Sequence, residues 1–394
     1  MGVLLILWKT TLAGNQYGTT AHRNAGGTHL DAPHGFWTSD LASGERAAHC
    51  VAAWQTGGVN IGNMFPSAAP STTVTATRSC KTGLRAAASG AGGKSMMETM
   101  AGLLAEALGV DSDGAEARFK VGGGGYGGGG GASVGTIDDV ATGNKYFYKK
   151  AGPSGASMLE AERAGLQAMH DAGAIRVPRP ICGGDGPGGC FAIFEHLNMG
   201  GRASPERAEL MGEQLAQMHR SLSPNGKYGF RVDNTIGATP QPNGWMDSWA
   251  DFWVERRLKH MIRLSEQNGG VYQNVDKVIE KTRSILSKHE VQPCLVHGDL
   301  WGGNQGFVAP QNDPVIFDPA TYYGDREVDL GMTHVFGGFP PAFYRGYEKE
   351  WPLPKGHEER QVVYNVYHIL NHHVLFGGGY LSQAQRMMGQ ILQM

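Results

Sequence analysis

The sequence predicts an α+β fold of two lobes, a small strand-rich lobe followed by a larger helical one. Three observations carry that prediction. From Ser95 to about Glu195 short strand patterns share the chain with helical ones, and amphipathic helical spacing dominates from there to the C-terminus. The polar residues best suited to chemistry fall in the helical half, in His297-Gly-Asp-Leu-Trp-Gly-Gly-Asn304 and at Asp318, which closes a short apolar strand.

Residues 1–94 stand apart as a disordered extension. No acidic residue occurs from Arg46 to Met97, while Ser, Thr, Ala and Gly abound and Arg46, Arg78, Lys81, Arg85 and Lys94 add positive charge. That is the composition of an organellar transit peptide, which points to a plastid (chloroplast) or another organelle. Met64-Phe-Pro-Ser-Ala-Ala-Pro-Ser-Thr-Thr suits the start of such a leader, which would make residues 1–63 a gene-model extension. A disordered tail on a cytoplasmic protein is the alternative.

Order is expected from Ser95. Ser95-Met-Met-Glu98 is a capping box opening a helix over Met96 to Leu108, which Gly109 ends. Phe119 to Val121 and Lys145 to Lys149 read as strands on either side of a glycine tract. Leu159 to Ala172 reads as a helix stopped by Gly173. Gly183 to Gly189 reads as a turn before the buried strand Ala192 to Glu195. These elements make an N-terminal lobe of 95–195. The second lobe, 196–394, carries helical patterns at Glu206 to Ser221, Trp249 to Glu266, Val271 to His289 and Glu358 to Met394. Between them, Leu295-Val-His297 leads into the polar loop, and two short strands flank the Pro- and Asn-rich turn Ala309 to Pro314.

Net charge is −2 and no basic stripe occurs, so nucleic-acid binding has no electrostatic support. Five scattered cysteines form no C-x-x-C pair and read as reduced thiols. No apolar run approaches the roughly 20 residues of a membrane span.

The loop has the spacing that phosphoryl transfer requires: an aspartate five residues before an asparagine, then a second aspartate beyond a strand. Asp299 is the candidate general base, taking the proton of an attacking hydroxyl. Asn304 and Asp318 are candidate Mg²⁺ ligands, because that ion prefers hard oxygen donors. His297 reads as a brace for the loop. Glycines from Gly122 to Gly131 would let backbone N–H groups approach ATP phosphates, although part of the tract also reads as low-complexity padding. Lys149, or its neighbour Lys150, would neutralise the α/β-phosphates, with Glu162 as its ion-pair partner. Backbone groups at Glu195 and Leu197 would meet the adenine edge, placing nucleotide between the lobes. His368, His372 and His373 read as packed or surface side chains and not as a metal set, and Asp325, Glu327 and Asp329 form an acidic cluster to which no chemistry is assigned.

The wording goes further than spacing. His297-Gly-Asp-Leu-Trp-x-Gly-Asn304, Asp318-Pro-Ala-x-Tyr-Tyr-Gly324 and Phe336-Gly-Gly-Phe-Pro340 resemble the fructosamine kinase (ketosamine 3-kinase) family. Val177-Pro-Arg-Pro180, Glu195-His-Leu197, Trp245-x-Asp247-x-Trp249, Arg257-Leu258 and Leu370-Asn-His372 fit as well. The resemblance, from about Gly122 onward, implies a protein-kinase-like fold. It also implies ATP- and Mg²⁺-dependent phosphorylation of the sugar 3-hydroxyl on ketosamine-modified lysines or small amines, leading to deglycation. It favours Lys149 over Lys150 and makes Gly129, Gly130, Gly131 and Ser133 the phosphate-covering turn. It places Trp245, Asp247 and Trp301 by the substrate, with Trp245 and Trp249 each either there or anchored in the core. Where that family carries a cysteine after the last glycine, this chain has Ala132, which speaks against redox control of that kind. A kinase of the aminoglycoside or choline type, and an inactive kinase fold that only binds, are the competing readings.

Overall fold

The computed structural model describes residues 93–122, 126–127 and 132–394. The leader reading and the phosphate-turn candidates Gly129, Gly130 and Gly131 lie outside the described residues.

Helix α1 (Met96–Leu108) begins as its capping box requires. Ser95 Oγ accepts from the Glu98 N–H at 3.2 Å, Glu98 reaches back to the Ser95 N–H, and Gly109 ends the helix at φ 68°. A short turn of helix, α2 (Ala115–Arg118), leads into an antiparallel sheet. Its strands are β1 (Phe119–Val121), β2 (Tyr126–Gly127), β3 (Ser133–Asp139), β4 (Lys145–Ala151), β5 (Pro180–Gly186) and β6 (Gly189–Glu195). The order is β1-β3-β4-β6-β5, with β2 alongside β3. Helix α3 (Ala156–Ala172), stopped by Gly173 at φ 66°, crosses between β4 and β5. Strand β6 is apolar along its length because both of its faces are covered. Phe191 and Ile193 pack with Met100 and Leu104 of α1, while Cys190, Ala192 and Phe194 pack with Leu159 and Leu166 of α3.

The expected turn at Gly183 to Gly189 is instead mostly strand β5, which pairs with β6. Along the strand glycine serves close packing, and the bend is confined to Pro187 and Gly188, the latter at φ 83°. A Cβ on Gly183 would stand 2.8 Å from the Phe191 carbonyl oxygen and 3.0 Å from the Arg163 side chain, and one on Gly184 would meet Leu103 of α1 at 3.2 Å.

The second lobe is built from α4 (Pro205–His219), a β7 (Asn234–Ile236)–β8 (Thr239–Gln241) hairpin, α5 (Trp249–Phe252), α6 (Lys259–Gln267) and α7 (Val275–Leu286). Helices α5 and α6 are joined by a π-helical turn at Trp253–Leu258. Strands β9 (Cys294–Val296), β10 (Gln305–Val308), β11 (Asp313–Ile316) and β12 (Tyr322–Gly324) follow. Helices α8 (Glu327–His334), α9 (Pro341–Glu350), α10 (His357–Phe376) and α11 (Tyr380–Gln393) complete it. Trp249, Trp253, Tyr322, Tyr364 and Tyr367 form the centre of its core. Of the two readings for Trp249, the structure therefore selects the core anchor. Arg257, fully buried beneath this layer, donates to the Pro242 carbonyl and to Asn243 Oδ1, both at 2.6 Å, which ties the π-turn to the segment after β8. Among the described residues, no helix is long and apolar enough to cross a membrane.

Candidate active site

Two small antiparallel pairs position the polar loop. β9 pairs with β12, and β10 pairs with β11, so the loop 297–304 and the segment after β11 are brought side by side. The Ala320 N–H donates to the His297 carbonyl at 2.8 Å, and the Phe317 N–H donates to the Asn304 carbonyl at 3.0 Å. Two glycines of the loop sit where an added side chain would collide. Gly298 sits at φ 80°, and a Cβ there would fall 2.2 Å from the Ala320 oxygen. A Cβ on Gly303 would fall 2.5 Å from the Trp301 indole, which folds back over it.

The three polar positions converge. Asn304 Nδ2 donates to the Asp299 carbonyl at 2.8 Å and to Asp299 Oδ2 at 3.1 Å, and it reaches the Asp318 carbonyl at 3.4 Å. Asp299 and Asn304 are nearly buried, whereas the Asp318 side chain is about a third exposed. Asp318 takes φ 56°, a left-handed conformation uncommon for a non-glycine residue, and it turns its carboxylate toward the upper lobe.

The upper lobe meets it with Lys149 from β4. Lys149 Nζ donates to Glu162 Oε1 of α3 at 2.6 Å and to Asp318 Oδ1 at 2.7 Å. One ammonium thus spans both lobes. Burial alone would pull its pKa down, but the Asp318 and Glu162 carboxylates outweigh that and hold it above the ordinary lysine value. Burial holds the Glu162 carboxyl above its usual range; Lys149 opposes this and the charge of Asp318 adds to it. Lys150 is the next residue on the strand and pairs with Phe191 and Ser133 across the sheet; Lys149, not Lys150, carries these ion pairs. The Ser133 hydroxyl bonds the Lys150 carbonyl at 3.4 Å.

Asp329 on α8 braces the loop from beneath. Fully buried, it accepts from the His297 and Gly298 N–H groups, each at 2.7 Å, and from His219 Nε2 at 3.0 Å. Burial disfavours its charge, yet His219 and these donors hold its carboxyl below the ordinary range. His297 Nδ1 accepts from the Asp299 N–H at 3.3 Å, which leaves Nε2–H to donate to the Phe317 carbonyl at 3.0 Å. Burial pushes that imidazole down, so it stays neutral and serves as a strut.

The sequence had singled out the acidic cluster without dividing its labour. Asp325 accepts from Tyr364 and His289, and Glu327 is clamped by Arg360 at 2.7 and 2.8 Å, so among the three only Asp329 faces the loop. Charged residues inside the otherwise apolar run of α8 were the available signal; their partners, from His219 to Arg360, are too far along the chain to be seen in it.

Glu195 ends β6 at the junction of the lobes, where its carboxylate accepts from Arg176 Nη2 at 2.7 Å. Leu197, two residues on, lies outside any strand and is half-buried. Trp301 lies within the loop and meets Phe336 edge to face at 6.1 Å. Trp245 stacks on Tyr323 of β12 at 6.1 Å, one strand from the loop. Asp247 is 84% exposed and pairs with Lys227 at 3.0 Å.

The pattern that defines the fructosamine kinase family matches residues 99–394. The chain belongs to the fructosamine kinase family. It is 47% identical over 249 residues to a Synechocystis protein described as a ketoamine kinase, covering 63% of this chain and 83% of that one. It is 41% identical over 253 residues to the chloroplastic protein-ribulosamine 3-kinase of Arabidopsis thaliana, covering 63% of this chain and 76% of that one. A solved Haemophilus somnus structure described as a fructosamine-3-kinase matches at a TM-score of 0.67 and 29% identity, covering 74% of this chain and 96% of that one. This family member is a kinase with the bilobal protein-kinase-like fold that the sequence predicts.

Proposed function

We propose that this kinase transfers the γ-phosphoryl group of ATP to the sugar 3-hydroxyl of ketosamines, fructosamine or ribulosamine, on protein lysines or small amines. The observation that carries the reading is the single Asn304 amide that ties the Asp299 carboxylate to the Asp318 backbone, beneath a lysine already paired with Asp318 and Glu162. The names of the relatives supply the substrate class.

Asp299 would accept the proton of the 3-hydroxyl as that oxygen bonds to the γ-phosphorus and the bond to the β-phosphate oxygen breaks, releasing ADP. Lys149, held by Glu162, would take the α/β-phosphates, and the backbone of Glu195 and Leu197 the adenine edge. Ser133, with Gly129, Gly130 and Gly131, would close over the phosphates. Asn304 and Asp318 fit Mg²⁺ as hard oxygen donors: Nδ2 of Asn304 is committed to Asp299, which leaves Oδ1 on the opposite side, and Asp318 already attracts a cation. Bound there, Mg²⁺ would neutralise the charge on the moving phosphoryl group. Trp301, Trp245 and Asp247 would line the acceptor side. The sugar 3-phosphate is unstable and releases the amine, so the product is a deglycated lysine. In domain terms, 95–195 is the nucleotide lobe and 196–394 the catalytic lobe. The chloroplastic relatives and the acid-poor N-terminal composition support plastid import.

Incubation with Mg·ATP and a panel of fructose-, ribulose- and psicose-lysine conjugates, read as ADP release, tests the reading. Turnover of choline or an aminoglycoside with no ketosamine reacting would overturn it. An inert fold would show no thermal shift with Mg·ATP, whereas a site at a hundred times Kd gains about 2.7 kcal/mol. Fusing residues 1–94 to a fluorescent protein and imaging plant cells tests the import.

A further inference from the structure

A row of aromatic rings runs outward from the catalytic loop. Trp301, two residues past Asp299, meets Phe336 at 6.1 Å; Phe336 meets His372 of α10 at 4.6 Å; His372 meets Phe376 at 5.6 Å and Tyr380 at 5.2 Å. Phe336 and Phe376 are 46% and 42% exposed, two of the few large apolar side chains so open to solvent among the described residues. The Phe336 backbone is also strained. It takes φ 62° and ψ 42°, a left-handed conformation that a bulky residue adopts only when its surroundings impose it. Neither fact suits a residue that only fills space. A strained backbone holds out an exposed ring beside a reacting group, and such patches mark binding surfaces. His372 donates Nδ1–H to the His368 carbonyl at 2.8 Å, which fixes its ring against Phe336.

We propose that Phe336 and His372, continuing from Trp301, form the subsite for the amine arm of the ketosamine: its cationic secondary ammonium and the first methylenes of the lysine. The inference deepens the ketosamine-kinase reading and rests on it. With the 3-hydroxyl at Asp299, the sugar lies by Trp301, and the amine, two carbons from the reacting one, extends along the row. Ring faces attract a cation by their quadrupole and give the methylenes apolar contact. The subsite selects a charged amine over a neutral substituent at that position.

The test compares steady-state kinetics of the parent, Phe336→Asn and Phe336→Leu on a fructose-lysine conjugate and on the same conjugate acylated at the ketosamine nitrogen, which is neutral. Asparagine tolerates the left-handed backbone better than phenylalanine, so Phe336→Asn should melt no lower than the parent. Its KM for the charged conjugate should rise about 5- to 30-fold with the KM for Mg·ATP nearly unchanged, and the preference for charged over neutral acceptor should collapse. Phe336→Leu, apolar but without a π face, should lose the same preference. If both variants keep the charged-acceptor KM within about twofold, or lose equally on both acceptors, the subsite is refuted while the kinase reading stands. If the parent turns over no ketosamine at all, the reading beneath it falls and the subsite with it.

Discussion

Asp329→Asn removes one charge while keeping the side chain's shape, and the structure fixes what that should cost. The carboxylate accepts three N–H groups from a fully buried position. An asparagine keeps one oxygen, enough for the Gly298 N–H. His219 can adapt, because its Nδ1 lies 2.8 Å from the Tyr347 hydroxyl and can donate there while Nε2 accepts from the new amide. The His297 N–H cannot adapt and is left facing an N–H₂ group. An unsatisfied buried donor costs about 1–3 kcal/mol, and loss of charge assistance on the Gly298 bond adds about 1. The sum is about 3 kcal/mol, or a fall in Tm of roughly 5 °C for a fold of this size. Because His297 and Gly298 immediately precede Asp299, the loop should also shift, and a displacement of about 1 Å costs on the order of a hundredfold in kcat. Differential scanning fluorimetry and ADP-release kinetics on the same preparation read both effects. A variant that melts within about 2 °C of the parent and keeps more than about half its rate would show that the loop is held by something other than Asp329.

Other expectations follow from the same contacts. Lys149→Met should lower kcat/KM for Mg·ATP by about a hundredfold or more, since it removes the charge proposed to meet the phosphates and the partner that Glu162 and Asp318 share; nucleotide titration and kinetics check it. Glu162→Gln should weaken Mg·ATP use less than Lys149→Met, because Asp318 still holds the ammonium. His368, buried with both ring nitrogens unpartnered, has its pKa pushed down to about 3 by burial. Between that value and the ordinary histidine pKa near 6.5 the unfolded chain binds the extra proton, so its contribution to stability is full above about pH 6.5 and is lost as the pH falls toward the folded value. His368→Leu should therefore flatten the acid limb of a Tm-against-pH curve between pH 6.5 and 4, and an unchanged limb would place its cause elsewhere.

Much of the site could be read from the chain because the decisive residues lie close together in it. Asp299, Asn304 and Asp318 are joined by one hairpin, so their meeting follows from strand pairing that the apolar patterns at Phe307 and Val315 already suggest. The capping box at Ser95 and the stop at Gly173 are likewise local chemistry. What escaped depends on distant partners. Strand β5 hides behind glycines whose purpose, letting Leu103 and Arg163 approach, appears only when α1 and α3 are in place. Strand β3, beginning at Ser133, follows a glycine tract that masks where pairing starts. The part played by Asp329 requires His219, over a hundred residues earlier, and the strained Phe336 is an ordinary phenylalanine until its dihedral angles are known.

In the proposed reaction Asp299 takes the acceptor's proton while the nucleotide is held by other residues. Asp299→Asn tests it most directly, since asparagine preserves shape and accepts no proton. The variant should lose about 10²–10⁴-fold in kcat with the Kd for Mg·ATP nearly unchanged. A variant that retains most of its turnover would contradict the assignment of the base, and with it the chemistry assigned to this loop.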